Sequence, residues 1–87
     1  MEDLNRMAVF AAVVEGNSFS EAARRLGLSK SVVSKAVSEL ERSLGARLLN
    51  RTTRAMSLTD AGSVFYTHCV RVVEEVQQAR LAVGQFN

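Results

Sequence analysis

At 87 residues, 47% hydrophobic and without proline, the chain is long enough for one compact domain and too short for two. It has no apolar run of about 18 residues to span a membrane, and its start, Met1-Glu2-Asp3, lacks the basic segment of a signal peptide, so a cytoplasmic protein with no membrane partner is expected. A lone Cys69 beside a lone His68 excludes an internal disulfide and a structural zinc site; on a helix the two point about 100° apart, so no catalytic pair is expected either.

The net charge of +2 is unevenly spread. From Arg24 to Arg54 there are eight basic residues against Glu39 and Glu41, whereas the rest of the chain holds three basic and seven acidic residues. A basic middle between acidic ends suits a polyanion, because each cation set against a phosphate releases counterions.

In chain order, Leu4, Met7, Ala8, Phe10, Ala11 and Val14 recur at three- and four-residue steps, which predicts a first helix with one buried stripe, Asp3 as its N-cap and Gly16-Asn17 as its stop. Ser18-x-x-Glu21 reads as a capping box for a short second helix, with Ser20 as the alternative cap and Phe19, Ala22, Ala23 and Leu26 inward. Gly27 ends it, and Leu28 is placed as the plug of the turn. Ser29 then caps a third helix whose inner positions are Val33, Val37, Leu40 and Leu44, closed by Gly45. A short helix, a glycine turn and a longer helix make a helix-turn-helix, with small Ala23 letting the two approach.

On the third helix Ser31, Lys35, Ser38 and Arg42 lie opposite the inner stripe, with Ser34 and Val32 at the flanks. Short serines let the backbone approach a groove floor, Lys30 and Lys35 can donate to phosphate or guanine, and a valine methyl can touch a thymine methyl. The N-terminal half of this helix is positive by charge and by dipole. After Gly45 two short strands, Arg47 to Arg51 and Ala55 to Thr59, are predicted around Thr52-Thr53-Arg54, with Leu48 and Leu58 inward and Arg51 and Arg54 carried at the tip of this wing. A last helix, capped at Thr59-Asp60-Ala61-Gly62, runs to about Gly84. Phe65, Cys69, Val72, Val76, Ala79 and Val83 alternate along it as a heptad seam for a second chain, and Tyr66, Val70 and Val73 form a stripe for its own domain.

The run "FSEAARRLGLSKSVVSKAVSELERSLGARLLNRTTRAMSLTDAG" closely resembles the DNA-binding domain of LysR-type transcriptional regulators, bacterial proteins with an N-terminal winged helix-turn-helix, a linker helix and a C-terminal effector-binding domain. The resemblance implies a mainly α fold: residues 1–58 as a three-helix winged helix-turn-helix with a two-stranded hairpin, and 59–87 as the linker helix that pairs two subunits. It implies that Ser29, Lys30, Ser31, Val32, Ser34, Lys35 and Ser38 meet the major groove and that Arg51, Thr52, Thr53 and Arg54 serve the wing side. The function implied is sequence-specific binding of double-stranded DNA, as a dimer, to an interrupted inverted repeat. No cofactor or metal is expected for this domain; a small-molecule effector belongs to the family's C-terminal domain, which this chain lacks, and a full-length protein could form tetramers.

Lys30 and Ser31 stand where the family often has glutamine and proline, Lys35 where arginine is common, and Leu49 where phenylalanine is frequent. Two other readings stay open from the residues alone: a protein-interaction module built on the last helix, and a non-specific DNA-packaging protein. A further alternative for the seam is that it packs on a C-terminal domain and leaves this chain monomeric.

Overall fold

The computed structural model describes residues 2–51 and 56–86. In chain order they form α1 (Glu2–Gly16), α2 (Phe19–Leu26), α3 (Lys30–Leu44), β1 (Leu49–Arg51), β2 (Met56–Leu58) and α4 (Asp60–Gly84). This is the expected winged helix-turn-helix with a long final helix. The wing strands are shorter than expected, and they pair antiparallel with Leu49 opposite Leu58, Asn50 opposite Ser57 and Arg51 opposite Met56.

Helix α1 buries a broader arc than the stripe read from its spacing. Val9, Phe10, Ala11 and Val13 are buried, while Leu4 remains 40% exposed. The reason is that α1 packs against α2, α3 and α4 at once, so more than one row of its side chains is covered. Asp3 is not its N-cap: the helix already includes Glu2, and Asp3 instead faces Arg6 at 3.6 Å.

The two caps of the helix-turn-helix are as expected. Ser18 Oγ accepts from the Glu21 amide at 2.8 Å, and Ser29 Oγ accepts from the Val32 amide at 3.2 Å. Only half of the capping box forms, since the Ser18 amide donates to the Val13 carbonyl and the Glu21 carboxylate turns to Arg24 and Arg25. Between α2 and α3, Gly27 sits at φ +68°, the left-handed region that lets the chain reverse in one residue. Ala22 and Ala23 are buried, which brings α2 close to α3; Leu26 and Leu28 stay about two-fifths exposed at 39% and 42%, so Leu28 does not plug the turn.

Val33, Val37 and Leu40 of α3 are buried with Leu48, Leu49 and Cys69 in one core around Phe10 and Val13. Leu44 is the exception, 45% exposed at the last turn, where it lines an open groove with Leu48, Val64 and Phe65. Both Leu48 and Leu49 are buried because Leu48 precedes the strand and is not bound by its alternation.

Thr59 joins the wing to α4 through three hydrogen bonds. Its amide donates to the Leu48 carbonyl at 3.0 Å, its hydroxyl donates to the Arg47 carbonyl at 2.6 Å, and the same oxygen accepts from the Gly62 amide at 2.9 Å. Gly62 is required by this approach: a Cβ there would stand 1.9 Å from the Leu48 carbonyl oxygen. Beyond it, Phe65 meets Phe10 with ring centroids 6.0 Å apart, and Cys69 is fully buried. From Glu74 to Phe86 every residue is exposed, and the extents of 49 × 25 × 20 Å reflect this protruding end.

Candidate nucleic-acid interface

The outward face of α3 is built by its own caps and its inner stripe. With Val33, Val37 and Leu40 held in the core, Lys30, Ser31, Val32 and Lys35 are exposed, and Ser34 and Ser38 are half-buried beside them. Ser29 and Ser31 hydroxyls lie 3.2 Å apart at the start of the helix, and the first turn holds no acid. The exposed lysines therefore stand at the positive end of the helix dipole. Lys35 has 78% of its side chain exposed, and its ammonium lies 3.8 Å from Glu39, which also pairs with Arg6 of α1. An exposed pair of this kind contributes little and exchanges readily for a stronger anion.

Helix α2 adds a smaller cationic surface. Glu21 accepts from Arg24 Nε at 3.1 Å and from Arg25 Nε at 3.2 Å. The hydrogen bond from Arg24 first, then those charges together, hold the Glu21 carboxyl down at about 2 against the opposing effect of desolvation, and raise Arg24 in turn.

The wing is organised by Glu41, which the charge pattern of the sequence shows only as an acid. Glu41 is buried, and its Oε2 accepts from the amides of Leu48 at 2.8 Å and Leu49 at 3.3 Å. Its Oε1 accepts from Arg51 Nη2 at 3.0 Å. One carboxylate of α3 thus fixes the first wing strand. A signal for it existed: Glu41 is four residues after Val37 and so falls on the inner row.

Arg51 is not at the tip of the wing. It belongs to β1, and its guanidinium turns back to Glu41 and lies over the Phe19 ring at 5.1 Å. Thr52, Thr53 and Arg54, the other wing residues expected to meet DNA, lie outside the described residues.

The expected pairing seam of α4 divides in two. Cys69 is fully buried in the domain's own core and Phe65 is half-buried against it, while Val76, Ala79 and Val83 are exposed, Val76 at 50% and Val83 at 66%. Val72 is half-buried between them, lining an open groove with Leu4, Ala8 and Val73. Burial raises the Cys69 thiol to about 11. Tyr66 and Val70 do pack inward, as expected, with Tyr66 against the core. Among the described residues no cluster of three or more His, Cys, Asp or Glu side chains is placed to hold a metal, and no helix is long and apolar enough to cross a membrane.

The sequence pattern of the family described as "Bacterial regulatory helix-turn-helix protein, lysR family" matches residues 4–63, well over half of the chain. The chain belongs to the LysR family. Among its relatives, an HTH-type transcriptional regulator of Xanthomonas campestris pv. campestris is 54% identical over 83 residues, covering 95% of this chain and 24% of that protein. The HTH-type transcriptional activator AaeR of Escherichia coli is 49% identical over 87 residues, covering 100% of this chain and 28% of AaeR. The chain spans about a quarter of the length of these relatives. Of solved structures, a complex of the BenM DBD with catB site 1 DNA superposes with a TM-score of 0.89 at 31% identity, covering 95% of this chain and 93% of that one. Full-length BenM superposes with a TM-score of 0.81 at 34% identity, covering 87% of this chain and 25% of that one. The chain is therefore the DNA-binding domain of a LysR-type transcriptional regulator, a winged helix-turn-helix with bacterial relatives, and not an enzyme.

Proposed function

We propose that this LysR-type domain binds double-stranded DNA sequence-specifically, as a dimer joined through α4, on an interrupted inverted repeat in the bacterial cytoplasm. The observation that carries the reading is the outward face of α3: Lys30, Ser31, Val32 and Lys35 exposed together, with Ser34 and Ser38 beside them and no acid in the first turn. Serines give close approach, and the lysines and Val32 supply hydrogen-bond and methyl contacts to base edges. The superposition on the BenM DBD, solved in complex with catB site 1 DNA, supports DNA binding by this fold. Two such helices related by a dimer two-fold would enter major grooves about 34–36 Å apart, or a multiple of that spacing.

Dimerisation is supported by the exposed Val76, Ala79 and Val83, which share one face on the protruding end of α4, since soluble monomers usually avoid such apolar surface. A second reading, that this end packs on the rest of a longer regulator, is favoured by the chain spanning about a quarter of its relatives. A small-molecule effector would act on that remainder, not on the domain described here.

The test is competition between the DNA flanking the protein's own coding sequence and random duplex at one stated salt concentration. Sequence-specific binding is expected to favour the flanking DNA by at least about 10³-fold. Equal affinity for both would leave non-specific binding as the function of the α3 face.

A further inference from the structure

Arg42, at the C-terminal end of the outward face of α3, and Arg47, just before the wing, are brought to one cleft by the fold. The C-terminal half of α3 and the root of the wing enclose an open cleft of ≈ 450 Å³, lined by Ser38, Glu41, Arg42, Arg47 and Arg51 among others. Three guanidiniums and one carboxylate share it. The carboxylate is already engaged: Glu41 accepts from the amides of Leu48 and Leu49 and from Arg51. Arg47 lies 3.9 Å from it, at the edge of an ion pair, and keeps 69% of its side chain exposed.

The backbone of Arg47 is nevertheless fixed. Its carbonyl accepts the Thr59 hydroxyl at 2.6 Å, and the next residue's amide is held by Glu41 at 2.8 Å. The main chain therefore fixes where the Arg47 side chain starts, while its guanidinium, at the edge of an ion pair with Glu41, stays mostly open to solvent and can turn to a stronger anion. Arg42 is exposed on the last turns of α3, on the same side as half-buried Ser38. The cations exceed the single buried acid, and they also outweigh the partial negative charge of the helix end. Guanidinium forks match phosphate oxygens.

We propose that Arg42 and Arg47, with Arg51 behind them, form a cradle for one backbone phosphate of the DNA, on the strand flanking the major groove that α3 enters. This rests on the reading of α3 as the DNA face, because Ser38 is shared by that face and by the cleft. The cradle fixes register and adds affinity without sequence information. Glu41 is the positioning residue: it ties α3 to β1 and so sets how far Arg47 stands from Arg42.

The test is the salt dependence of binding to a random-sequence duplex and to the flanking DNA. Arg42→Ala with Arg47→Ala is expected to make the slope of log K against log salt shallower by roughly 2 units on both duplexes, with an unchanged melting temperature. Arg42→Lys with Arg47→Lys is expected to keep the slope, and Arg71→Ala on α4 to leave it unmoved. An unchanged slope in the alanine pair, on duplexes that the unmodified chain binds, overturns the cradle and leaves the α3 reading intact. A loss confined to one sequence, or an equal shallowing by Arg71→Ala, overturns it as well. If the unmodified chain binds neither duplex, the cradle and the DNA reading fall together.

Discussion

Helices α3 and α4 are both long and both carry an apolar stripe, yet the surfaces they leave open are opposite in kind. α3 spends Val33, Val37 and Leu40 on the core and shows lysine and serine outside. α4 is anchored through its first half, at Gly62, Phe65 and Cys69, and its second half shows Val76, Ala79 and Val83 on one face. A polar, cationic face over a satisfied stripe fits a polyanion, whereas an apolar face with nothing over it fits another protein surface. The difference predicts that substitutions in α3 and in the two halves of α4 separate into stability, DNA binding and association.

The largest effect is expected where α4 is anchored. Gly62→Ala would drive a methyl into the Leu48 carbonyl, so the wing root or α4 must shift, at a cost of about 3 kcal/mol or more in urea unfolding. A wild-type midpoint would mean that α4 is not seated as described. Within α3 the two faces should respond oppositely. Val33→Ala removes buried methyl groups and should lower stability by roughly 1–3 kcal/mol. Lys35→Ala should leave the melting temperature nearly unchanged and weaken binding to the specific site by on the order of 1–3 kcal/mol; equal losses on random duplex would make Lys35 a phosphate contact instead.

In the second half of α4, Val76→Glu with Val83→Glu should change monomer stability by no more than about 0.5 kcal/mol, because both side chains are mostly exposed. Light scattering should nevertheless show a dimer becoming a monomer. An unmodified chain that is monomeric at high micromolar concentration would assign this face to the rest of a longer protein. The smallest effect is in alkali. Burial keeps the Cys69 proton on in the native state up to about 11, above its ordinary 9.0. The unfolded chain releases that proton first, so stability is complete below about pH 9 and declines as pH rises towards 11. Urea midpoints across that range should fall less steeply in Cys69→Ala.

The helix-turn-helix was legible because its signals are local: Ser18 and Ser29 cap, Gly27 turns, and the three-four spacing of Val33, Val37 and Leu40 can be read in one helix. The seam of α4 was not, since Phe65 and Cys69 have the same heptad spacing whether they face a partner or Phe10 of their own domain. Only the packing of α1 against α4 distinguishes the two. Leu28 and Leu44 were illegible for a related reason: an apolar residue in a turn or at a helix end reads the same whether a neighbouring element closes over it or leaves it, as here, lining an open groove. Arg51 looked like a wing-tip cation because its partners, Glu41 and Phe19, are distant in sequence and carry no pattern that links them to it.

The division of labour between α3 and the end of α4 is tested most directly by mapping backbone amide NMR shifts as a duplex containing the preferred site is added. Changes are expected to concentrate on Lys30 to Ser38, with Arg42, Arg47 and Arg51 following, while Glu74 to Gly84 stay unmoved at a protein concentration that keeps the oligomeric state constant. Changes concentrated on Glu74 to Gly84, with Lys30 to Ser38 silent, would contradict the assignment of DNA to α3 and of protein contact to α4.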